Sequence, residues 1–267
     1  MKKLLLLSAL LIFACGYGQG EQLYADGTAT DQNGNSFEWI NYSTQDWAIE
    51  NAEVVTYRDG TPIPEVTDAT EWGNLTTGAW SYYDNDPTKP RLYNWYAVAG
   101  IHDTDPNTPN KEFAPEGWHV PSETSDTEWT TLKEHLIANG YNYDGTTTGN
   151  KIAKAMASIT GWGTSTYAGG SGNDQSSNNS SGFNAFPEGL RFGSNSSFNL
   201  EGIDAIFWSS TEYNTNYAWC RSLGNNSDYF FRNDNYKRSG FSVRFVRDTS
   251  TASTENHQSN SIIAYPN

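Results

Sequence analysis

The sequence is poor in cysteine and in positive charge. It has two cysteines in 267 residues, which excludes the dense disulfide framework of small secreted domains. It has 16 Lys and Arg against 31 Asp and Glu, and the net charge of -15 disfavours nucleic acid as a partner because phosphate backbones are repelled. Aromatic residues, in contrast, make up 14% of the chain, which predicts a packed core rather than disorder.

The N-terminus has the pattern of a secretory signal. Two lysines precede an apolar run over residues 4–14, which is too short to cross a bilayer in the mature protein. Two processing sites remain open. The residues Ile-Phe-Ala-Cys ending at Cys15 resemble a lipobox, which would lipidate Cys15, whereas Gly-Tyr-Gly before Gln19 is a small-x-small cleavage site. We therefore expect residues 1–18 to be a signal peptide and the protein to be secreted or held at the outer-membrane surface.

Short strands are predicted near both ends of the chain. Alternating residues at 37–40 and 54–57 indicate strands, with Asn33-Gly34 as a hairpin tip. A second group of short antiparallel strands begins at Ile206, with turns at Asn225-Asn226 and Asn233-Asp234; its apolar runs are 206–209, 219–223, 229–232 and 241–245. Strands, then helices, then strands indicate an α+β fold.

The strongest helix pattern follows Pro121. Residues 125–128 have the Ser-x-x-Glu form of a capping box, and Trp129, Leu132 and Leu136 then fall on one helical face. A weaker helix is predicted over residues 151–158, followed by a Gly/Ser/Asn-rich loop.

Several ordered motifs resemble the Fibrobacter succinogenes major paralogous domain. They are Trp-His-Val-Pro at 118–121, Gly-Phe-Asn-Ala-Phe-Pro-Glu-Gly-Leu-Arg at 182–191, Phe-Trp-Ser-Ser-Thr-Glu at 207–212 and Gly-Phe-Ser-Val-Arg-Phe-Val-Arg-Asp at 240–248, with further matches at 45–51, 57–64 and 92–98. The resemblance implies a domain over residues 19–248. It also implies a C-type-lectin-like fold with short strands, two or three short helices and long loops, distantly related to formylglycine-generating enzymes.

Two positions depart from that family pattern. Ala114 and Phe245 stand where the family usually has cysteines. Their joint loss is expected if the two cysteines normally form a disulfide, and a small residue beside a large one would fill the vacated space. The resemblance therefore implies that Ala114 and Phe245 are neighbours in the fold.

The C-terminus carries a second resemblance. Residues 249–261 are rich in Ser, Thr and Asn and are predicted to be a linker. Residues 262–267, Ile-Ile-Ala-Tyr-Pro-Asn, resemble the opening of a type IX secretion sorting domain, which implies the type IX machinery as a partner. Because clients of that route normally carry a simple cleaved signal, this ending favours cleavage near Gln19 over lipidation of Cys15.

Enzyme motifs are scarce. The sequence has no Gly-x-Ser-x-Gly elbow, no His-Glu-x-x-His pair and no phosphate-binding loop. Its four histidines, at 102, 119, 135 and 257, are scattered, and we expect His119 to be structural. Cys220 lies in an apolar strand and is expected to be a small buried hydrophobe. We therefore expect no enzyme activity.

Binding is better supported by the residues of the last hairpins. Sugar rings stack on aromatic side chains while Asn and Asp hold their hydroxyls. The candidate ligand residues are Tyr213, Tyr217, Asn225, Asn226, Asp228, Tyr229, Asn233 and Tyr236. Calcium could be held by the oxygen-rich loops at 84–86 and 103–105, although neither has the form of a dedicated calcium loop, so no cofactor is expected.

Three functions remain open. The first is a cell-surface or secreted binding module for an extracellular glycan or protein. The second is a structural, envelope-associated domain without a small ligand. The third is an enzyme distantly related to the formylglycine-generating group.

Overall fold

The computed structural model describes residues 25–124 and 127–249. The signal peptide with Cys15, almost all of the linker and the residues 262–267 lie outside this part of the chain. The described strands are β1 (Gly27–Thr30), β2 (Ser36–Tyr42), β3 (Gln45–Ala48), β4 (Trp80–Tyr82), β5 (Arg91–Tyr93), β6 (Glu188–Arg191), β7 (Phe198–Glu201), β8 (Asp204–Glu212), β9 (Tyr217–Gly224), β10 (Phe231–Tyr236) and β11 (Val246–Asp248). The helices are α1 (Ala69–Gly73), α2 (Trp95–Val98), α3 (Glu128–Ala138) and α4 (Ala153–Met156).

The first and last described strands share one sheet, whose order is β1-β2-β3-β11. The β1–β2 hairpin closes where predicted, because Asp31 Oδ1 accepts the backbone N–H groups of Asn33 and Asn35 and Gly34 has a φ of +86°. β11 pairs antiparallel with β3, with Val246 opposite Trp47. The two ends of the domain therefore lie close together, and the α+β class predicted from the sequence is confirmed.

Helix α3 packs against this sheet through the predicted face. Trp129, Leu132 and Leu136 are fully buried, and the ring centroids of Trp129 and Trp47 are 4.6 Å apart. The helix begins at Glu128, with Thr127 as its N-cap, so the predicted capping box is wrong. The Glu128 carboxylate accepts the backbone N–H of Ser122 instead of capping its own helix, while Ser125 lies outside the described residues.

A second sheet has the order β10-β9-β8 and carries the C-terminal hairpins. The turn at Asn225-Asn226 lies where predicted, but Asn233-Asp234 is inside β10, opposite Cys220 and Trp219 of β9. Pairing with β9 outweighs the turn preference of Asn and Asp at these positions. The last strand is also later than predicted, since β11 begins at Val246.

Ala114 and Phe245 are both buried in one core cluster, each about 2% exposed. The ring of Phe113, which precedes Ala114, has its centroid 6.1 Å from that of Phe245. Phe37 also packs against Phe245, with 5.7 Å between their ring centroids. The two positions at which the family usually has cysteines thus belong to the same part of the core.

None of the helices in residues 25–124 and 127–249 has the length and apolar character needed to cross a membrane.

Candidate functional site

The outward side of β9 and β10 carries a group of aromatic side chains. Side chains alternate along a strand, so the burial of Ala218 and Cys220 turns Tyr217 and Trp219 outward. Directly paired residues point to the same side of a sheet, which adds Tyr236 opposite Tyr217.

The rings of this group contact one another in two pairs. Tyr213, just after β8, meets Trp219 edge to face at 4.7 Å between centroids, and Tyr217 lies 4.5 Å from Tyr236. The guanidinium carbon of Arg232 lies 3.6 Å from the centroid of the Trp219 ring. Tyr213 is 50% exposed and Tyr236 is 40% exposed. We call this surface the aromatic face; its residues are Tyr213, Tyr217, Trp219, Arg232, Asp234 and Tyr236.

Three of the predicted ligand residues lie elsewhere, because they hold the Gly/Ser-rich loop after α4. Asn225 Nδ2 donates to the carbonyl of Gly163 at 3.3 Å. Asn226 Oδ1 accepts from Ser165 Oγ at 2.7 Å. Asp228 Oδ2 accepts the Tyr167 hydroxyl at 2.8 Å, and this hydrogen bond raises the pKa of Tyr167. These polar groups are engaged within the protein.

The remaining two candidates are also apart from the aromatic face. Asn233 pairs with Cys220 on the opposite side of the sheet and donates to Ser222 Oγ at 3.3 Å. Tyr229 precedes β10, with its ring 5.1 Å from that of Phe231. The structure thus brings Tyr213, Tyr217 and Tyr236 together and separates them from the other five.

Trp219 and Arg232 were not among the residues predicted from the sequence. The alternation Tyr217-Ala218-Trp219-Cys220 could have placed Trp219 beside Tyr217, since every second side chain shares a face. The position of Arg232 depends on the register of β9 and β10. The sequence could not predict this register, because it predicted a turn at Asn233-Asp234, which lies inside β10.

A pocket of about 400 Å³ lies beside the aromatic face, between α3 and the start of β10. At its base the Glu123 carboxylate, 1% exposed, accepts Arg221 Nε at 2.6 Å and Arg221 Nη2 at 2.7 Å. Arg232 Nε donates to the same carboxylate at 2.8 Å. Arg232 therefore belongs to both the aromatic face and the pocket.

The two residues considered for catalysis, His119 and Cys220, have structural contacts. His119 Nε2 lies 3.1 Å from Glu128 Oε1, a carboxylate that also holds Ser122. Cys220 is buried in the core, and burial raises the pKa of its thiol, which disfavours the reactive thiolate.

The two oxygen-rich loops use their carboxylates in local turns. Asp86 Oδ1 accepts the N–H and hydroxyl of Thr88, and these bonds lower its pKa. Asp105 Oδ1 accepts the backbone and side-chain N–H groups of Asn107, which lower its pKa likewise. Within the described ranges, no three His, Cys, Asp or Glu side chains are grouped as metal ligands.

A family model described as the Fibrobacter succinogenes major domain matches residues 40–247. This span includes β3 to β10, with the pocket and the whole aromatic face. No curated protein and no solved structure matches the chain.

Proposed function

The chain belongs to the Fibrobacter succinogenes major domain family, and we propose that it is an exported, non-catalytic binding module. It would bind an extracellular glycan or protein through the aromatic face. The observation that carries the proposal is the presence of two exposed rings on one face, Tyr213 packed on Trp219 and Tyr236 packed on Tyr217, since exposed aromatic groups rimmed by polar residues are typical of interaction sites.

A glycan fits this face better than a protein. Tyrosine rings provide flat apolar surfaces for the C–H faces of sugars. Asp234, opposite Trp219 in the register, offers acceptors to sugar hydroxyls, and Arg232 offers donors. Apolar and polar groups are thus neighbours on this face, as a sugar ring with hydroxyls on its edge requires.

We further propose a C-type-lectin-like fold for the domain. The pairing of the last strand β11 with β3, which brings the two ends together, supports it. So do the long connections with little regular structure between α2 and β6. In that fold the last hairpins lie in the region of the ligand loops, where the aromatic face is found. An experimental structure with a different strand connectivity would contradict this.

We propose export by the general secretory route with cleavage near Gln19, followed by passage to the surface through the type IX machinery. The basic start, the apolar run and the ending Tyr265-Pro266-Asn267 support this route. Mass spectrometry of the mature N-terminus tests it, in cells that carry the full gene. A diacylglyceryl group on Cys15 would instead make the protein an outer-membrane lipoprotein.

Retention on a glycan array tests the binding function. The double variant Tyr213→Ala/Tyr236→Ala removes the two most exposed rings of the aromatic face and should weaken retention at least about tenfold. The matched control is Tyr143→Ala, which removes a ring that is also 40% exposed but lies on another loop. Its retention should equal that of the unmodified chain.

Two outcomes would contradict binding through the aromatic face. If neither glycans nor envelope proteins are retained, the domain is a structural, envelope-associated unit. If the aromatic variants bind normally, the ligand uses a different surface. An enzyme of the formylglycine-generating type would need an accessible thiolate, and Cys220 is buried.

A further inference from the structure

The pocket beside the aromatic face has an excess of positive charge. Two guanidinium groups, from Arg221 and Arg232, share the single carboxylate of Glu123. Lys133 of α3 also lines the pocket, and among the described residues it pairs with Glu134, at 3.9 Å, on a largely exposed side chain. The four charged residues that line the pocket, Glu123, Lys133, Arg221 and Arg232, thus carry three positive charges and one negative charge. The net charge of the whole chain, in contrast, is -15.

Arg232 retains hydrogen-bonding capacity in this arrangement. Its Nε donates to Glu123, while its two terminal nitrogens have no hydrogen-bond acceptor among the described residues. A guanidinium presents its donors as a planar fork that matches a carboxylate. Glu123 and the Trp219 ring hold this fork in place from two sides, so little side-chain entropy remains to be lost on binding.

The walls of the pocket are aromatic. Tyr229 and Phe231 are both exposed and lie 5.1 Å apart between ring centroids, beside the positive groups. The volume of about 400 Å³ is at the lower end for small-molecule sites, which is the size of one or two sugar rings. The pocket therefore places the free terminal nitrogens of Arg232 beside a wall on which a sugar ring can lie.

We propose that this pocket binds the carboxylate of a single acidic sugar residue within an otherwise neutral glycan. The inference rests on the proposed glycan-binding function and extends it, because Arg232 connects the pocket to the aromatic face. A polyanionic glycan is disfavoured, since the net charge of the chain repels it at long range. One carboxylate feels the nearby cations more strongly, because they lie within the Debye length of about 8 Å.

Three small probes distinguish the contribution of the carboxylate to binding from that of the sugar ring. Titration of the full chain with glucuronate, glucose and acetate at constant ionic strength can be followed by the NMR signals of the arginine Nε–H groups. Glucuronate should shift the signals of Arg221 and Arg232 at the lowest concentration. Glucose lacks the carboxylate and acetate lacks the ring, so each should bind at least about tenfold more weakly.

Two charge variants test whether glucuronate binds in this pocket. Lys133→Gln and Arg232→Gln should each weaken glucuronate binding at least about tenfold. Lys133→Gln leaves the Glu123 pair with Arg221 in place, so it tests binding without a change to the buried charges. The control Lys89→Gln removes the same charge at a distant ion pair with Glu201 and should bind as the unmodified chain does.

The outcomes distinguish this proposal from the broader function. Glucuronate that binds no better than glucose or acetate, or that is insensitive to Lys133→Gln, overturns the acidic-sugar pocket. The glycan array judges the aromatic face independently, because its variants leave Lys133 and Glu123 unchanged. Retention of neutral glycans alone would keep the binding function and remove this inference.

Discussion

Lys154 Nζ lies 3.0 Å from Asn178 Oδ1, at a position where the lysine side chain is buried. The same ammonium donates to the backbone carbonyls of Asn173 and Asp174. Asn178 Nδ2 in turn donates to the carbonyls of Ser158 and Ser171, both at 2.9 Å. One buried cation thus organises oxygen atoms of the Gly/Ser-rich loop, in the way that a bound metal ion would.

Replacing this cation should loosen the loop. Lys154→Met keeps an unbranched apolar stem, one atom shorter than lysine, but leaves three acceptors without their donor. We expect a loss of about 2 kcal/mol or more in the free energy of unfolding, measured by urea denaturation, and faster proteolysis within residues 163–178. Lys89→Met, at an exposed ion pair, is the control and should change neither measurement. An unchanged urea midpoint for Lys154→Met would contradict this role.

Sequence patterns predicted those elements that are determined by residues close together in the sequence. Trp129, Leu132 and Leu136 share a helical face by their spacing alone, and that face is buried. The register of β10 could not be predicted in the same way. Asn233 and Asp234 have turn preferences in isolation, and only pairing with β9 makes them strand residues.

The candidate site was likewise predicted only where its residues are close together in the sequence. Tyr213, Tyr217 and Tyr236 are brought together by neighbouring hairpins, so their position in the sequence was informative. Asn226 and Asp228 are used by Ser165 and Tyr167, which lie 61 residues earlier in each case. The base of the pocket was missed for the same reason, because Glu123 and Arg221 are 98 residues apart.

Arg244 should be the least replaceable charged residue of the core. It is fully buried, and its guanidinium donates to Asn51 Oδ1 at 2.6 Å and to the carbonyls of Ala48, Phe183 and Asn184. Burial lowers its pKa to about 10, so it stays charged at neutral pH. Arg244→Met should reduce the free energy of unfolding by about 3 kcal/mol or more, measured by urea denaturation.

A matched variant distinguishes the geometry of Arg244 from its charge. Arg244→Lys keeps the charge but loses the planar fork that reaches four acceptors. We expect its stability to lie well below that of the unmodified chain. Full stability of the lysine variant would show that charge alone is needed at this position.

Cysteines at positions 114 and 245 should form a disulfide. Both residues are buried in one core cluster, and the ring of Phe113, the neighbour of Ala114 in the sequence, packs against Phe245. Phe245→Cys also removes a large core side chain, so the informative comparison is the double variant oxidised against reduced. Oxidation should raise the free energy of unfolding by about 2–4 kcal/mol in thermal or urea unfolding. Failure to crosslink under oxidising conditions would mean that the two substitutions are unrelated.

Acid should destabilise the protein through Glu128. Burial alone would raise its pKa, but hydrogen bonds from His119 and Ser122 outweigh burial and lower the pKa to about 2, against 4.5 for a free glutamate. Between these values the unfolded chain holds a proton that the folded carboxylate lacks, so stability falls as the pH drops from about 4.5 to 2. Because Glu128 is partly exposed, solvent screening limits this contribution to about 2 kcal/mol.

Glu128→Gln should remove this part of the acid sensitivity. The amide oxygen can still accept the backbone N–H of Ser122, but the variant has no carboxylate to protonate. Its urea midpoint should therefore change less than that of the unmodified chain between pH 4.5 and pH 2.5. Glu134→Gln makes the same change on an exposed carboxylate of the same helix, and its acid dependence should follow the unmodified chain. Equal acid dependence in all three proteins would mean that the contacts of Glu128 with His119 and Ser122 contribute nothing to stability in solution.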